Sequence, residues 1–444
     1  MKVVIIGASF AGIAAALEVR KHHTDANIVL LEKQATLAYI PNGLHLYWGN
    51  QIDDLNAARF ITEEQLRQHT IEYYLGATVQ NINTDQKIIA YDYLEQEELV
   101  AYDKLIIAAG SRQLSEKIDG SAQDSVLKYK RYGEAQAALS KVKESQHVTI
   151  IGGGQVGVEA ADLLTKQQKK ITLIESMDYV LFKYLDEDMI QPLEQKMIEN
   201  GIDLRLGQTV SSIDMESNHN LTVRLGDDSV ISDAVIMSVN VRPNLPFLDT
   251  RIKRHTDQTI AVDRYLRTSV EDVFAVGDCI QLSGPDEDMV YIPLINNAVR
   301  TGIVAAANLI EPVLEFKGSL RTIGTSIFGY YIASTGMTEA ESLFTNHTIE
   351  THRQKVPLTS LPHSDTVILK WVYDATTHVL LGAQMISKAN MLEKINTLAL
   401  AIQTKQTLED LQQTDYFFHP SYSQMMTTTN LVSWMGERVD KDES

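Results

Sequence analysis

Two glycine-rich segments have the spacing of turns that hold a diphosphate. The first, Gly7-Ala8-Ser9-Phe10-Ala11-Gly12, follows an apolar run at residues 3–6; the second, Gly152-Gly153-Gly154-Gln155-Val156-Gly157, follows one at residues 148–151. In such strand-to-helix turns the first glycine allows the sharp bend, the last allows close packing, and free backbone N–H groups face the phosphates. Two copies in one chain predict two dinucleotide-binding sites.

An acidic residue follows each glycine-rich segment at the end of a second apolar run. Glu32 and Glu175 end these runs, 25 and 23 residues after the first glycine of their motifs. A carboxylate at this point accepts hydrogen bonds from ribose hydroxyls. Glu175 also repels a 2′-phosphate, and residues 176–178 supply no cation for one, so the sequence predicts NADH rather than NADPH.

These motifs require strands and helices that alternate along the chain. We predict strands at the apolar runs and helices over residues 13–22 and 158–164. Further on, residues 367–373 and 379–385 predict a hairpin, and residues 391–403 predict an amphipathic helix. The expected fold class is α/β, with two Rossmann-like dinucleotide-binding domains followed by a C-terminal α+β domain.

Composition excludes several classes of protein. A length of 444 residues with 44% hydrophobic residues implies several domains, and a net charge of −19 argues against nucleic acid as a partner. The single cysteine, Cys279, excludes an internal disulfide and multi-cysteine metal motifs; we expect no metal site and no redox role for it. No apolar run has the length of a membrane span, and the internal copy of the glycine motif argues against a signal peptide at the N-terminus. We predict a cytoplasmic protein.

Together with three further motifs, these features make the chain resemble the flavoprotein disulfide reductases along essentially its whole length. The motifs are residues 102–111, 268–278 and 293–298, and Asp278 ends the second of them. The resemblance is to the branch of NADH oxidases, NADH peroxidases and coenzyme A-disulfide reductases. It implies FAD at the first glycine motif, NAD(P)H at the second, and a homodimer.

The resemblance also implies an order of domains. FAD-binding segments at residues 1–112 and 247–318 flank an NAD(P)H-binding domain at residues 113–246. A dimerisation domain at residues 319–444 completes the chain. Each boundary is an expectation carried over from the family.

Matching the motifs residue by residue gives the cofactor contacts that the resemblance implies. The expected FAD contacts are Gly7, Ala8, Ser9, Phe10, Ala11, Gly12, Glu32, Lys33, Asn42, Val79, Ala108, Ala109, Gly110, Arg131, Asp278, Leu294 and Ala298. The expected NADH contacts are Gly152, Gly154, Gln155, Val156, Gly157, Glu159, Glu175, Tyr184 and Asn240. This sequence departs from the family at Ser9, Ala109, Gln155 and Asn240, where a glycine, a threonine, a gating tyrosine and a glycine are usual.

Two positions predict how the chemistry differs from that of the family. In this branch a single redox cysteine lies against the flavin, and Asn42 matches its position. An amide cannot form a thiolate or a sulfenic acid. Phe10 stands where peroxidase-like members have a histidine. We therefore predict direct reaction of the reduced flavin with oxygen or another small acceptor, which is a hydrogen peroxide-forming NADH oxidase activity.

The C-terminal segment offers one acid–base candidate. His419 lies in residues 417–422, which by resemblance reach the flavin of the partner subunit. An imidazole there is suited to proton transfer near neutral pH, whereas the structural alternative is a hydrogen-bonded interface histidine.

Two other functions remain open at the level of the sequence. One is a non-enzymatic redox sensor that binds FAD and NADH, because several flavin-pocket and NADH-site positions depart from the family. The other is a diverged coenzyme A-disulfide reductase, in which the basic residues 20–23 hold a phosphorylated ligand. A solvated helix end is the structural alternative for those residues.

Overall fold

The computed structural model describes residues 1–114, 118–121, 123–216, 220–239, 241–284 and 288–423. The chain forms two compact units, and the first comprises Met1–Val148, Val210–Ser283 and Asp288–Gly318. The second comprises Thr149–Thr209, Gly284–Glu287 and Ser319–Ser444. The domain boundaries implied by the family resemblance stay a prediction.

Within the described ranges the chain contains ten α-helices and twenty-five strands. The helices are α1 (Phe10–His22), α2 (Gly43–Trp48), α3 (Glu63–Gln68), α4 (Tyr132–Glu144), α5 (Gln155–Lys166), α6 (Glu187–Glu199), α7 (Ile295–Ala307), α8 (Glu339–Ser342), α9 (Lys394–Gln403) and α10 (Leu408–Gln412). The strands are β1 (Lys2–Ile6), β2 (Asn27–Glu32), β3 (Ile71–Leu75), β4 (Thr78–Asn83), β5 (Ile88–Tyr93), β6 (Gln96–Ala101), β7 (Lys104–Ile107), β8 (Arg112–Gln113), β9 (Val126–Leu127), β10 (His147–Ile151), β11 (Lys170–Ile174), β12 (Asp203–Arg205), β13 (Ser212–Met215), β14 (Leu221–Leu225), β15 (Asp228–Ser232), β16 (Ala234–Met237), β17 (Val241–Arg242), β18 (Val273–Ala275), β19 (Leu282–Ser283), β20 (Met289–Val290), β21 (Ile323–Ile327), β22 (Tyr330–Gly336), β23 (Ile349–Pro357), β24 (Thr366–Asp374) and β25 (Leu380–Ser387). Among the helices of this described part, none is long and apolar enough to cross a membrane.

A five-stranded parallel sheet forms the centre of the first unit. Its strand order is β18-β7-β1-β2-β3, and β1 pairs with β2 from Lys2↔Asn27 to Ile6↔Leu31. Most residues of β1, β2 and β7 are buried, as expected for parallel strands that are covered on both faces. The strands predicted at residues 3–6 and 28–31 are confirmed; β1 has one more residue at its N-terminal end, and β2 has one more at each end.

Helix α1 begins three residues before its predicted start at residue 13. Ser9 is its extended N-cap residue, so the helix leaves the glycine turn directly. α1 then packs closely on α7: a Cβ atom on Gly302 would lie 2.4 Å from the carbonyl oxygen of Ala11. Since no real Cβ atom approaches an oxygen that closely, this contact requires a glycine.

The second unit contains the second strand–turn–helix motif. α5 begins at Gln155, again three residues before the prediction, and Gly154 is its N-cap residue. The N–H group of Gly152 donates to the carbonyl oxygen of Ile174 at 2.8 Å, which holds the turn beside the end of β11. The two glycine motifs therefore have the same local construction.

The second unit also contains an antiparallel sheet of order β21-β22-β25-β24-β23. The predicted hairpin is confirmed, because β24 pairs with β25 from Val367↔Ser387 to Tyr373↔Leu380. The predicted helix at residues 391–403 begins later, at Lys394. Its N–H group bonds to the carbonyl oxygen of Met391, so the preceding residues form a turn.

A buried lysine connects the segment after β11 to this sheet, inside the second unit. Lys370 Nζ lies 2.7 Å from Asp188 Oδ1, 2.6 Å from Glu339 Oε2 and 3.3 Å from Asp186 Oδ2. The side chain of Lys370 is only 4% exposed. Burial opposes its charge, but hydrogen bonds to Asp188 and Glu339 outweigh that effect and raise the pKa of Lys370. Gln384 completes the cluster by hydrogen bonding to Asp186 at 2.6 Å.

Candidate functional site

The first glycine turn has the close backbone contacts of a phosphate-binding turn. Gly7 has φ +103°, and a Cβ atom there would lie 2.2 Å from the carbonyl oxygen of Ala108. A Cβ atom on Gly12 would lie 1.8 Å from the carbonyl oxygen of Gly7. Both positions therefore require glycine, and they leave the first turn of α1 open to a diphosphate. These residues fit the FAD that the sequence predicts.

Glu32 is held by backbone donors at the end of β2. Its Oε2 atom accepts from the N–H of Ala8 at 2.8 Å, and its Oε1 atom accepts from the N–H of Gln34 at 2.7 Å. The carboxylate is thereby fixed beside the glycine turn, where the fingerprint places a ribose partner.

The first unit contains all the other expected FAD contacts too. Lys33 follows β2, Val79 is on β4, Ala108, Ala109 and Gly110 follow β7, Arg131 is the N-cap residue of α4, Leu294 is the N-cap residue of α7, and Ala298 lies near the start of α7. Asp278 lies in a 3-10 helix, Gly277–Cys279, directly after β18. All of these residues lie in the first unit, and their contact with FAD stays a prediction.

Asp278 belongs to a polar cluster that the sequence showed only in part. Its Oδ2 atom accepts from Ser111 Oγ at 2.9 Å and pairs with Lys130 Nζ at 2.9 Å. Lys130 Nζ also donates to Ser111 Oγ. Tyr291 Oη donates to the backbone oxygen of Asp278 at 3.0 Å, and burial raises the pKa of Tyr291. Lys130 was missed, although it precedes Arg131 in the sequence.

Asn42 is the N-cap residue of the short helix α2. It is half-buried, and its side chain makes no capping hydrogen bond. The next residue needs to be glycine, because a Cβ atom on Gly43 would lie 2.5 Å from Ala58 Cβ and 2.8 Å from the ring of Tyr39. Burial raises the pKa of Tyr39 to about 12, so this ring is uncharged beside Gly43.

Phe10 makes an aromatic stack at the start of α1. Its ring lies 3.9 Å from that of Phe60, at an interplanar angle of 14°. Phe60 is hydrogen bonded to the segment that precedes Asn42, because its backbone N–H donates to the carbonyl oxygen of Ala38. The position that is a histidine in peroxidase-like relatives is therefore an apolar contact here. Sequence reasoning singled out Phe10 but gave no sign of Phe60.

Three buried rings, two of them on α2, pack together in the first unit. His45, Trp48 and Tyr129 are 7%, 3% and 3% exposed. His45 Nε2 lies 3.0 Å from Tyr129 Oη, and the ring centroids of this set are 5.3 to 5.8 Å apart. His45 and Tyr129 are 84 residues apart, so no sequence pattern pointed to the pair.

The second glycine turn lies in the second unit and holds its acid in the same manner. Gly152 has φ +108°. Glu175 Oε2 accepts from the N–H of Gly153 at 2.7 Å, and Oε1 accepts from the N–H of Met177 at 2.9 Å. Gly153 is packed against Glu175, since a Cβ atom on it would lie 3.1 Å from Glu175 Cβ. The turn fits the second dinucleotide predicted from the sequence.

Gln155 and Glu159 form a polar pair on the first turns of α5. Gln155 Nε2 donates to Glu159 Oε1 at 3.0 Å, and Thr325 Oγ1 donates to the same oxygen at 2.6 Å. Gln155, at the position where the family usually has a gating tyrosine, therefore holds the Glu159 carboxylate in place. Tyr184 is half-buried in the same unit, and burial raises its pKa. Asn240, the last expected NADH contact, lies outside the described residues.

His419 has a defined ring orientation on an exposed segment. Its Nδ1 atom accepts from the N–H of Ser421 at 3.2 Å, so the neutral ring bears its proton on Nε2. The ring of Tyr422 lies 4.8 Å away. Phe417 and Phe418, which precede His419, are 73% and 54% exposed.

Arg20 and its neighbours are used within the fold. Arg20 donates to the carbonyl oxygens of His69, Thr24, Ala26 and Thr70. Lys21 and His22 pair with Glu18 at 3.0 and 2.9 Å. The basic residues at the end of α1 therefore make contacts within the protein, as expected for a helix end that holds no ligand. The structure gives no support to a phosphate site there.

Cys279 is buried in the core of the first unit. It is 0% exposed, and its thiol donates to the carbonyl oxygens of Val276 and Ile107 at 3.1 and 3.3 Å. Burial raises the pKa of Cys279 to about 12. A thiol in this environment is unreactive.

Comparison with known proteins agrees with this geometry. The family model described as "Pyridine nucleotide-disulphide oxidoreductase" matches residues 1–302, and the one described as "Pyridine nucleotide-disulphide oxidoreductase, dimerisation domain" matches residues 324–430. An NADH oxidase of Enterococcus faecalis is 30% identical over 439 residues, with 98% of each chain covered. Both the predicted fold class and the predicted family are confirmed.

Solved structures extend the likeness to the whole fold. A pyridine nucleotide-disulfide family oxidoreductase from Enterococcus faecalis V583 is 42% identical, with a TM-score of 0.90 and coverage of 98% of this chain and 99% of that one. The water-forming NADH oxidase from Lactobacillus brevis, bound to NADH, is 29% identical, with a TM-score of 0.94 and coverage of 98% of both chains.

The two glycine turns, their fixed acids and the C-terminal antiparallel sheet define a flavoprotein oxidoreductase that uses a pyridine nucleotide. The chain belongs to the pyridine nucleotide-disulphide oxidoreductase family.

Proposed function

We propose that this chain is an NADH oxidase that releases hydrogen peroxide. NADH gives two electrons and a proton, a second proton comes from solvent, and oxygen leaves as hydrogen peroxide while NAD⁺ is formed. FAD, when bound, supplies the chemistry that accepts a hydride and passes on two electrons. The observation that carries the proposal is the amide of Asn42 at the position of the family's redox cysteine.

Cys279 and Phe10 support a reaction that stops at two electrons. Further reduction of peroxide to water requires a second redox group, normally a thiol that cycles through sulfenic acid. The only thiol in the chain, Cys279, is buried with a raised pKa. Phe10 stacks on Phe60, so the family's histidine position supplies no proton donor to peroxide. These features separate the proposal from the water-forming activity named for the Lactobacillus brevis relative.

An anaerobic titration with NADH followed by exposure to air tests the proposal. We expect about one NADH per FAD to bleach the flavin, because there is no second redox centre to fill. Admitting air then returns the absorbance and releases about one peroxide per NADH. Consumption of a second NADH equivalent, or oxidation without peroxide, would contradict the proposal. A bleached flavin that persists in air would favour the redox sensor instead.

We infer that NADH is the preferred coenzyme. The Glu175 carboxylate is fixed by the N–H groups of Gly153 and Met177, so it cannot readily turn away from a 2′-phosphate. Glu175→Ala should lower the preference for NADH over NADPH by about tenfold or more, because the repulsion is removed. The ratio of kcat/KM for the two coenzymes measures this, with Glu199→Ala at an exposed position of α6 as control. An unchanged ratio in Glu175→Ala would show that other residues select the coenzyme.

We also infer a homodimer and a cytoplasmic location. The match to a dimerisation domain and the exposed rings of Phe417 and Phe418 support self-association through the C-terminal segment. In that dimer His419, with its proton on Nε2, is the acid–base candidate at the partner's flavin. The location rests on the sequence features above.

A further inference from the structure

The hydrogen bond between His45 and Tyr129 joins two parts of the first unit that are remote in sequence. Its atoms are 3.0 Å apart, and both side chains are less than a tenth exposed. Trp48 packs against both rings, at centroid distances of 5.8 Å. A hydrogen bond in such a surrounding has few competing water molecules, and leaving one partner unpaired there is costly.

Each end of this bond lies beside a group of the candidate flavin site. His45 is in the first turn of α2, and its backbone N–H donates to the carbonyl oxygen of Asn42 at 3.0 Å. Tyr129 is directly followed by Lys130, whose Nζ atom contacts Asp278 Oδ2 at 2.9 Å. The pair therefore connects Asn42 to the cluster of Lys130 and Asp278.

Packing alone does not explain a polar pair at this place. A leucine and a phenylalanine would fill similar space without polar atoms that need partners. A directional bond between buried groups instead fixes one relative position of the two segments, as buried polar pairs do in some other proteins.

We propose that His45 and Tyr129 are positioning residues for FAD. Their hydrogen bond sets the distance between α2, which begins after Asn42, and Lys130, which holds the Asp278 carboxylate. The proposal rests on the proposed function, which assigns FAD to the first unit. Without this bond the Tyr129–Lys130 segment is no longer held in one position. The Asp278 carboxylate, which Lys130 contacts, is then no longer fixed in the orientation that binds FAD.

Four variants test this through cofactor affinity. His45→Leu, Tyr129→Phe and the double variant remove the bond, whereas His45→Gln keeps a side-chain partner for the Tyr129 hydroxyl. The dissociation constant of FAD is measured by adding FAD to apoprotein and following flavin fluorescence. We expect about a tenfold increase in each single variant, because FAD binding must then also order the Tyr129–Lys130 segment that this hydrogen bond holds in place. The double variant should be little worse than either single one, because both lose the same interaction. His45→Gln should remain close to the wild type.

Tyr73→Phe is the matched control. It also removes a hydroxyl of the first unit, one that donates to Glu63 Oε2 at 2.7 Å in a partly buried contact. FAD affinity and the visible flavin spectrum should not change in it, whereas both should change in Tyr129→Phe.

The melting temperature of each apoprotein separates positioning from general stability. Variants that melt earlier but bind FAD within about twofold of the wild type would overturn the proposal, and additive effects in the double variant would do the same. If His45→Leu fails to fold, Tyr129→Phe, which removes only an oxygen atom, decides the matter alone. These outcomes are distinct from failure of the proposed function, which would appear as wild-type protein that binds FAD but forms no peroxide with NADH and air.

Discussion

At position 42 an amide and not a thiol precedes α2, and the Phe10–Phe60 stack puts an apolar contact at position 10. The thiol through which other members of the family pass electrons is therefore absent from this position. Introducing a thiol at position 42 tests whether the rest of the pocket can still use one.

Asn42→Cys should reduce the peroxide released per NADH by about half or more, because a thiolate can reduce peroxide through sulfenic acid. The measurement is peroxide formed per NADH consumed in air. Asn42→Ser is the control, since a hydroxyl has a similar size but no redox chemistry. A thiol reagent verifies the variant: the native wild type should show no reactive thiol, and Asn42→Cys should show one.

Equal peroxide yields in the cysteine and serine variants would mean that the pocket has diverged beyond one residue. Phe10 is then the next candidate, since the imidazole found there in peroxidase-like relatives is also missing. The double variant Asn42→Cys with Phe10→His would test that dependence.

At the residue scale, the sequence predicted the parts of the site that are defined by spacing. Gly7, Gly12 and Glu32 follow one another at fixed intervals, and backbone geometry requires them. His45 and Tyr129 could not be predicted, because only the folded chain brings residues so distant in sequence into contact. Phe60 is missed for the same reason.

At the scale of elements, the cluster around Lys370 ties the N-terminal end of α6 to β24 and β25 in the second unit. Lys370→Met should lower the free energy of unfolding by about 3 kcal/mol, because Asp186 remains buried without its cation. Asp188 and Glu339 are about half exposed and can be hydrated, which keeps the loss near the lower end for a broken buried pair.

Urea unfolding followed by the fluorescence of tryptophan measures this loss. Lys355→Met on the neighbouring strand β23 is the control, because Lys355 is exposed. A loss in Lys370→Met no larger than in Lys355→Met would show that the three carboxylates are stable without the ammonium group.

The turn of the β24–β25 hairpin is connected to α10 by a pH-dependent ion pair. His378 Nδ1 lies 2.6 Å from Glu409 Oε1, and this hydrogen bond raises the pKa of His378 above 6.5. A group whose pKa is higher in the folded than in the unfolded state stabilises the folded state most at a pH below its unfolded-state pKa. That stabilisation is lost as the pH rises through its folded-state pKa. The second unit should therefore lose a little stability as the pH rises from below 6.5 through the raised pKa of His378.

His378→Gln should remove this pH dependence. The measurement is the melting temperature of wild type and variant across that range, and the expected difference is small because exposed ion pairs contribute less than about 1 kcal/mol. Parallel melting curves for the two proteins at every pH would assign the dependence to other groups.

Element types followed from the sequence more readily than element starts. The apolar periodicity predicted β1, β2, β11 and the C-terminal hairpin because buried strands need such runs. The starts of α1 and α5 were each placed three residues late, because the last glycine of each motif, Gly12 or Gly157, lies inside the helix and not before it. The start of α9 was placed early, because Met391 is apolar and buried although it lies in a turn.

At the scale of the molecule, the exposed aromatic segment should mediate self-association. Phe418→Asp should shift the protein from a mass of twice 49.6 kDa toward the mass of one chain. Light scattering after size-exclusion chromatography measures it, and Leu94→Asp, at a residue that is 77% exposed in the first unit, is the control. A dimer that survives Phe418→Asp would place the interface elsewhere in the C-terminal domain.

The burial of Cys279 has a consequence for the lifetime of the catalyst. An enzyme that generates peroxide beside an exposed thiolate is exposed to progressive oxidation to sulfinic and sulfonic acids, which most cells cannot reverse. Here the sole sulfhydryl is enclosed in the core and protonated at physiological pH. We propose that this protein produces hydrogen peroxide, and it has no cysteine that hydrogen peroxide can readily oxidise.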